Sequence, residues 1–250
     1  MIYGIFHTGS GLGNQLHRYV ATRVLALDKG YEFGIIAQRE FKGISFMDLE
    51  LGDEPTEPYM TDHTGKISSY SKLPVWEEWN KQTYDPDFNF VEDNTIIDGN
   101  FEDPRYFEHR LPEIAEWLKT ELLDIPDDVC VIGFRGGEYY TVPELGLPKE
   151  YYDRAIQYMK TINPAMKFEV HTDDPELAKI FFPDYKVIRD ISINWRSMRY
   201  AKYAIIANSS FYVLPRLLNG GLTIAPKYWN RYNTKKWDYP QNYYKQFTWI

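Results

Sequence analysis

An arginine on a glycine-softened turn, Gly133-Phe134-Arg135-Gly136-Gly137-Glu138-Tyr139, follows the apolar run Val129-Cys130-Val131-Ile132. The run reads as a strand, so Arg135 stands at its carboxyl end, where open α/β sheets bind ligands. A guanidinium fixed there suits two-pronged capture of a phosphate or carboxylate. Glu138 either makes a plain loop ion pair with Arg135 or orients it within a catalytic site. In the second case Arg135 neutralises a diphosphate leaving group, because a fixed cation selectively stabilises the charge that develops as the diphosphate departs.

Three further segments carry polar groups at element ends. In His171-Thr172-Asp173-Asp174-Pro175-Glu176, Asp174 before a proline suits a helix N-cap. Asp173 is then left to accept hydrogen bonds, for example from the ring and exocyclic nitrogens of guanine. The adjacent acids lack a third ligand at metal-binding spacing, so no metal is expected. In Ala207-Asn208-Ser209-Ser210-Phe211, small polar residues between a strand and a helix either cap the helix or present oxygens and amides to a phosphate. Gly11-Leu12-Gly13-Asn14-Gln15 is a poor dinucleotide fingerprint. Its third glycine falls on Asn14, no acid ends the following strand, and the P-loop lysine is absent. It remains either a simple strand-to-helix turn or one that offers Asn14 and backbone amides to a ligand. Neither Ser209 nor Cys130 has the surroundings of a nucleophile.

The elements that must position these groups follow an α/β pattern. Ile2 to Phe6 reads as a buried strand, and Leu16, Tyr19, Val20, Val24 and Leu27 mark one face of a helix that Gly30 stops. Phe33 to Ala37 is a second strand. From Gln38 to Arg110 the pattern weakens, with one better strand at Asn94 to Asp98, and Pro112 to Leu123 is helical. Strands are expected at Val129–Phe134, Lys167–His171, Tyr185–Ile188, Tyr203–Ala207 and Leu222–Ala225. Helices are expected at Pro148–Lys160, Pro175–Phe182, Trp195–Ala201 and Ser210–Asn219, the last with a kink or a late start at Pro215. This alternation predicts parallel sheets in two Rossmann-like halves, with the ligand in the cleft between them.

Composition narrows the function further. The chain has 250 residues, a net charge of −8 and no basic cluster, which disfavours nucleic-acid binding. The single cysteine, Cys130, lies in an apolar run and reads as core. With no signal peptide and no membrane span in the sequence, a cytoplasmic protein is expected. Aromatics crowd the middle (Tyr70, Trp76, Trp79, Tyr84, Phe88, Phe90) and the tail (Tyr228, Trp229, Tyr232, Trp237, Tyr239, Tyr243, Tyr244), where they suit either sugar stacking or core packing.

Taken in order, these segments resemble the fucosyltransferase superfamily, and most of all the α1,2-fucosyltransferases of glycosyltransferase family 11. The family's opening G-G-L-G-N-Q is matched by Ser10-Gly11-Leu12-Gly13-Asn14-Gln15. Its G-Y-F-Q and K-Y-F resemble Gly99-Asn100-Phe101-Glu102 and Arg105-Tyr106-Phe107, and its H-x-R-R-G-D-Y aligns with Gly133 to Tyr139. L-P-x-x-Y-Y is seen from Leu147 to Tyr152, S-D-D resembles Thr172-Asp173-Asp174, I-I-A-N-S-S-F stands intact from Ile205 to Phe211, and A-P-K-x-W runs from Ala225 to Trp229. The chain departs from the motifs at Gly133, Gly136 and Glu138, where the family has histidine, arginine and aspartate, and again at Tyr212-Val213-Leu214-Pro215.

The resemblance implies a GT-B architecture, two Rossmann-like domains facing across a cleft. Residues 1–124 would form the acceptor side, 125–226 the GDP-sugar side, and 227–250 an aromatic tail packing back on the N-terminal domain. It also implies a GDP-sugar donor such as GDP-fucose, a glycan acceptor, inversion at the anomeric carbon, and no metal or other cofactor. Arg135 carries over as the diphosphate contact and Asp173 with Asp174 as the guanine or ribose side. Asn208, Ser209, Ser210 and Phe211 would line the phosphates, and Asn14, with Gly11 and Gly13, would approach the donor. Glu138, His7, His17 and Asp103 are the candidate bases. Two other functions stay open, a non-catalytic nucleotide-sugar or glycan-binding relative and an NAD-type Rossmann oxidoreductase.

Overall fold

The computed structural model describes residues 1–55, 59–61, 67–70, 73–79, 84–229, 233, 235 and 244–250. The expected tail aromatics Tyr232, Trp237, Tyr239 and Tyr243 lie outside them. The chain divides into two compact units, Met1–Lys119 and Thr120–Ile250. Among the described residues no helix is long and apolar enough to cross a membrane.

In the first unit, strand β1 (Ile2–Ile5) leads into helix α1 (Leu12–Lys29) and strand β2 (Phe33–Ile36). Leu16, Tyr19, Val20 and Val24 are fully buried, as their spacing predicts. Leu27, expected on the same face, is 47% exposed, because the face has turned outward by the last turn. A short antiparallel pair, β3 (Tyr59–Thr61) with β4 (Ile67–Tyr70), precedes β5 (Val75–Glu77) and β6 (Thr95–Asp98). The main sheet runs β2-β1-β6-β5, all parallel. Trp76, Phe88, Phe101 and Tyr106 pack ring against ring, so this part of the aromatic-rich middle is core.

Helix α2 spans Leu111–Trp117, ending well short of the expected Leu123. The carbonyls beyond it turn to other partners. Tyr200 Oη donates to the Thr120 carbonyl at 2.8 Å, and Arg196 donates to those of Glu121 and Leu122 at 2.9 and 3.2 Å. These bonds commit residues 120–122 to the second unit, while Leu122 stays 73% exposed.

The second unit alternates strictly. Strand β7 (Val129–Phe134) is followed by a short helix α3 (Glu138–Thr141), α4 (Lys149–Ile162), β8 (Lys167–Thr172), α5 (Pro175–Phe181) and β9 (Lys186–Ile188). Then come α6 (Ile191–Tyr200), β10 (Tyr203–Ile205), α7 (Ser210–Asn219), β11 (Leu222–Ala225) and β12 (Phe247–Trp249). All six strands are parallel in the order β12-β11-β10-β7-β8-β9. Counted from β7, this is the 3-2-1-4-5-6 order of a dinucleotide-binding Rossmann sheet, with its topological switch between β7 and β10. Of the kink or late start expected at Pro215, the late start is absent, since α7 begins at Ser210 and runs through the proline. The described end of the tail is read differently from expectation, since residues 247–249 add an edge strand to this unit's own sheet.

Two buried groups tie this layer together. Cys130 is fully enclosed in β7, and burial pushes its thiol well up, so it is inert core. Arg216, buried in α7, donates to Thr223 Oγ1 at 2.8 Å and to the carbonyls of Met198 and Ala201 at 2.9 and 2.7 Å. Burial lowers its pKa to about 10.

Candidate functional site

The loop after β7 is built by register. Gly133 pairs with His171 and Phe134 with Thr172, so residues 135–137 leave the sheet opposite residues 173 and 174 of the neighbouring strand end. The Gly136 amide donates to Asp173 Oδ1 at 2.9 Å and the Gly137 amide to Asp174 Oδ2 at 3.0 Å. Gly137 has φ +51° and ψ −125°, a backbone conformation a side chain would strain, and it opens α3.

Arg135 is clamped inside this loop. Nη1 donates to Asp173 Oδ2, Nη2 donates to Glu138 Oε1 at 3.0 Å, and the guanidinium lies 5.2 Å from the centre of the Tyr139 ring. Burial works against its charge, but Asp173, Tyr212, Tyr139 and Glu138 together raise its pKa above the ordinary value. Nε is buried with no hydrogen-bond partner among the described residues. Glu138 is 72% exposed, which suits it to orienting the arginine.

The acid pair has local duties. Asp174 caps α5 through the Leu177 amide at 3.1 Å as well as holding Gly137, and these two amide bonds hold its carboxyl below the usual range. Asp173 anchors both the Gly136 amide and Arg135. Both carboxylates are therefore partnered within the loop that carries the arginine.

The far side of the switch point is supplied by β10. Asn208 is buried and donates from Nδ2 to the Leu145 carbonyl at 3.0 Å, and Tyr139 Oη donates to the Asn208 carbonyl at 3.4 Å, linking the two strand ends. Ser209 precedes the first turn of α7 without a side-chain cap bond. Ser210 and Phe211 start that helix, partly buried. Arg135, Glu138, Asp173 and Asp174 thus meet in one cluster, and Asn208 joins it through Tyr139.

Gly11, Gly13 and Asn14 belong to the first unit, where they open α1. His17 is fully buried and donates from Nδ1 to the Gly13 carbonyl at 2.9 Å. Burial lowers its pKa to about 4, so it is a core residue. Asp103 is likewise committed, accepting from the amides of Tyr84 and Arg105 at 2.8 and 3.0 Å and from the Arg105 guanidinium at 3.0 and 2.6 Å. His7, just beyond β1, lies 2.8 Å from Asp98, the last residue of β6.

Sequence reasoning missed Tyr139 and Tyr212 in the second unit and Asp98, Glu78, Trp79 and Arg18 in the first. Asp98 was within reach of the strand-end rule that found Arg135, since it closes a predicted strand. Glu78 and Trp79 follow β5, a strand too short to leave a periodic signal.

No family model matches the chain. It is 25% identical over 180 residues to the O-antigen biosynthesis glycosyltransferase WbnK of Escherichia coli, a stretch covering 59% of this chain and 56% of that relative. The chain thus spans little more than half the length of the curated relative it matches. Among solved structures it is similar to Arabidopsis thaliana FUT1, the R284K mutant in complex with GDP. That likeness has a TM-score of 0.54 at 10% identity, covering 91% of this chain and 70% of that one. It is more loosely similar to the E. coli heptosyltransferase WaaC with ADP, with a TM-score of 0.47 at 13% identity, covering 91% and 88%. The fold is of the GT-B type, with a Rossmann-like sheet in each of two units.

Proposed function

We propose that the protein is an inverting glycosyltransferase that takes a sugar, fucose or a close relative, from a GDP-sugar and transfers it to a hydroxyl of a glycan. The observation that carries this reading is Arg135, fixed at the switch point of the second unit's Rossmann sheet, where nucleotide diphosphates are held in such folds. The sequence likeness to a glycosyltransferase and the co-linear fucosyltransferase-like segments support the choice of reaction.

In this reading the diphosphate lies against the terminal N–H groups of Arg135 that Asp173 and Glu138 leave over. The start of α7 contributes its first-turn amides behind Asn208, Ser209 and Ser210. The carboxylates nearby do not repel the ligand outright, because Asp174 is spent on two backbone amides and Asp173 on one amide and the guanidinium itself. As the bond to the anomeric carbon breaks, charge gathers on the leaving diphosphate and Arg135 stabilises it.

A thermal-shift screen over GDP-fucose, GDP-mannose, UDP-glucose and ADP tests the donor class. A GDP-sugar at 100 times its dissociation constant adds about 2.7 kcal/mol of stability. Arg135→Ala should lose most of that shift and reduce GDP release from the donor by two orders of magnitude or more. Wild-type-like release in this variant would overturn the proposal.

A further inference from the structure

Two tyrosines stand side by side on α3, and their rings serve different purposes. Tyr140 packs on Phe134 and Phe181 and donates from its hydroxyl to the Leu147 carbonyl at 2.5 Å, so it belongs to the core. Tyr139 turns to the arginine instead. Its ring centre lies 5.2 Å from the Arg135 guanidinium, and its hydroxyl donates to the Asn208 carbonyl at 3.4 Å. One side chain therefore links the loop after β7 to the turn after β10, across the topological switch of the sheet.

Both ends of this link are braced. On the near side, the amides of Tyr139 and Tyr140 donate to the carbonyls of Gly136 and Gly137, each at 3.1 Å, so α3 grows directly out of the glycine pair. A Cβ at residue 136 would lie 2.4 Å from Asp174 Cβ, which presses the turn against the acid that caps α5. On the far side, Asn208 donates to the Leu145 carbonyl, in a loop whose carbonyls are engaged one after another. Asn233 donates from Nδ2 to the carbonyls of Pro143 and Gly146 at 2.5 and 3.0 Å and from its amide to that of Glu144 at 3.2 Å. With Tyr140 on Leu147, every carbonyl from 143 to 147 has a donor, and the backbone beside Asn208 is held in place.

We infer that Tyr139 is a positioning residue that sets the spacing between the two grips on the donor diphosphate, the Arg135 fork and the turn from Asn208 to Ser210. This rests on the glycosyltransferase reading above. A guanidinium stacked on a ring leaves its edge to carboxylate and phosphate oxygens, while its plane is kept from tipping. Asp173 and Glu138 hold that edge, and the Tyr139 ring holds the face. The hydroxyl then refers the fork to the start of α7, so a ligand that bridges the two meets them at one separation. Tyr139 itself touches no reacting atom. Its effect is selective, because a nucleoside diphosphate spans both grips and feels the loss of the link, whereas a monophosphate occupies one and does not.

The test measures GDP and GMP affinities of the full chain by calorimetry. Tyr139→Phe keeps the ring and loses the hydroxyl, and should weaken GDP about fivefold while GMP changes less than about twofold. Tyr139→Leu loses the stack as well, and should weaken GDP about thirtyfold. In an Arg135→Ala background Tyr139→Leu should cost less than about twofold more, because the ring acts through the guanidinium. Parallel losses for GDP and GMP in Tyr139→Phe, the pattern of a general loosening of the fold, would overturn the link. A Tyr139→Leu penalty that persists in full without Arg135 would do the same. So would equal wild-type affinity for the two nucleotides, which would leave no second grip to space. A wild-type chain that binds neither nucleotide would instead overturn the donor reading on which the link depends, a separate signature from the others.

Discussion

The ring of Tyr212 fills the space in which a side chain on Gly133 would stand. A Cβ built at residue 133 would lie 2.7 Å from the Tyr212 ring and 3.0 Å from Met198 Cε, closer than packed carbon atoms allow. Both positions depart from the fucosyltransferase-like motifs, one by losing a histidine and the other by following Ser-Ser-Phe with tyrosine. In this chain a ring from α7 occupies the space that a side chain at residue 133 of β7 would need. Gly133→Ala should therefore cost about 1–3 kcal/mol by overpacking. In a Tyr212→Val background the same substitution should cost less than half as much, read by urea unfolding in a double-mutant cycle. Equal penalties in the two backgrounds would refute the steric conflict between the two positions.

Arg135 spans two carboxylates on different segments, Asp173 across the sheet and Glu138 on its own turn. A lysine keeps the charge but cannot reproduce the fork. Arg135→Lys should weaken GDP binding about tenfold, an order of magnitude less than Arg135→Ala. Glu138→Gln, at an exposed pair, should change it less than threefold. Calorimetric titration with GDP ranks the three, and an Arg135→Lys affinity equal to wild type would remove the fork from the account.

Glu78 is pulled two ways. Burial raises its carboxyl to about 7 from an ordinary 4.5, against hydrogen bonds from the Asn100 and Phe101 amides at 2.8 and 3.4 Å. Between those pH values the folded chain holds a proton that the unfolded chain has lost, so this group takes stability away as pH rises from 4.5 to 7. Glu78→Gln should abolish that loss. Its advantage over wild type should grow across the interval to at most about 3 kcal/mol at pH 8, measured by denaturant unfolding at fixed pH values. A constant difference would show that Glu78 is ionised in the fold throughout.

His17 and His171 have the opposite sign. Burial lowers each from 6.5 to about 4, so each contributes stability that is complete above 6.5 and lost as pH falls toward 4. In the Glu78→Gln background, where the competing proton is gone, unfolding near pH 5 should take up close to two protons. The slope of unfolding free energy against pH gives the number directly, and a slope near zero would mean that both rings are charged in the fold.

The second unit was the more legible half because its central strand β7 is buried along its whole length and opens on an apolar run, with strands and helices alternating after it. The expected limits of β7, β11 and α7 coincide with those observed. Arg135 was visible because a strand end is a local feature. Its partner was not, because pairing Phe134 with Thr172 is a long-range choice of register that brings Asp173 to Arg135 and the Gly136 amide. In the first unit β5 has only three residues, and nothing local ties Glu78 and Trp79 to His7, some 70 positions away in the sequence. Strand β12 was missed for a related reason, being a short edge strand far along the chain from β11, with which it pairs.

On the proposed function, the clamp on Arg135 also determines how the site discriminates. A free arginine side chain samples many rotamers, worth about 2 kcal/mol of entropy, and can swing to meet ligands of different shape. Here that freedom is surrendered when the chain folds, since Asp173 and Glu138 hold the guanidinium from two sides. A ligand thus meets a rigid fork that does not search for it. Oxygen atoms that match the fork bind without an ordering step, while a group misplaced by an ångström gains nothing from adaptation, so selectivity among anions becomes a matter of shape before charge.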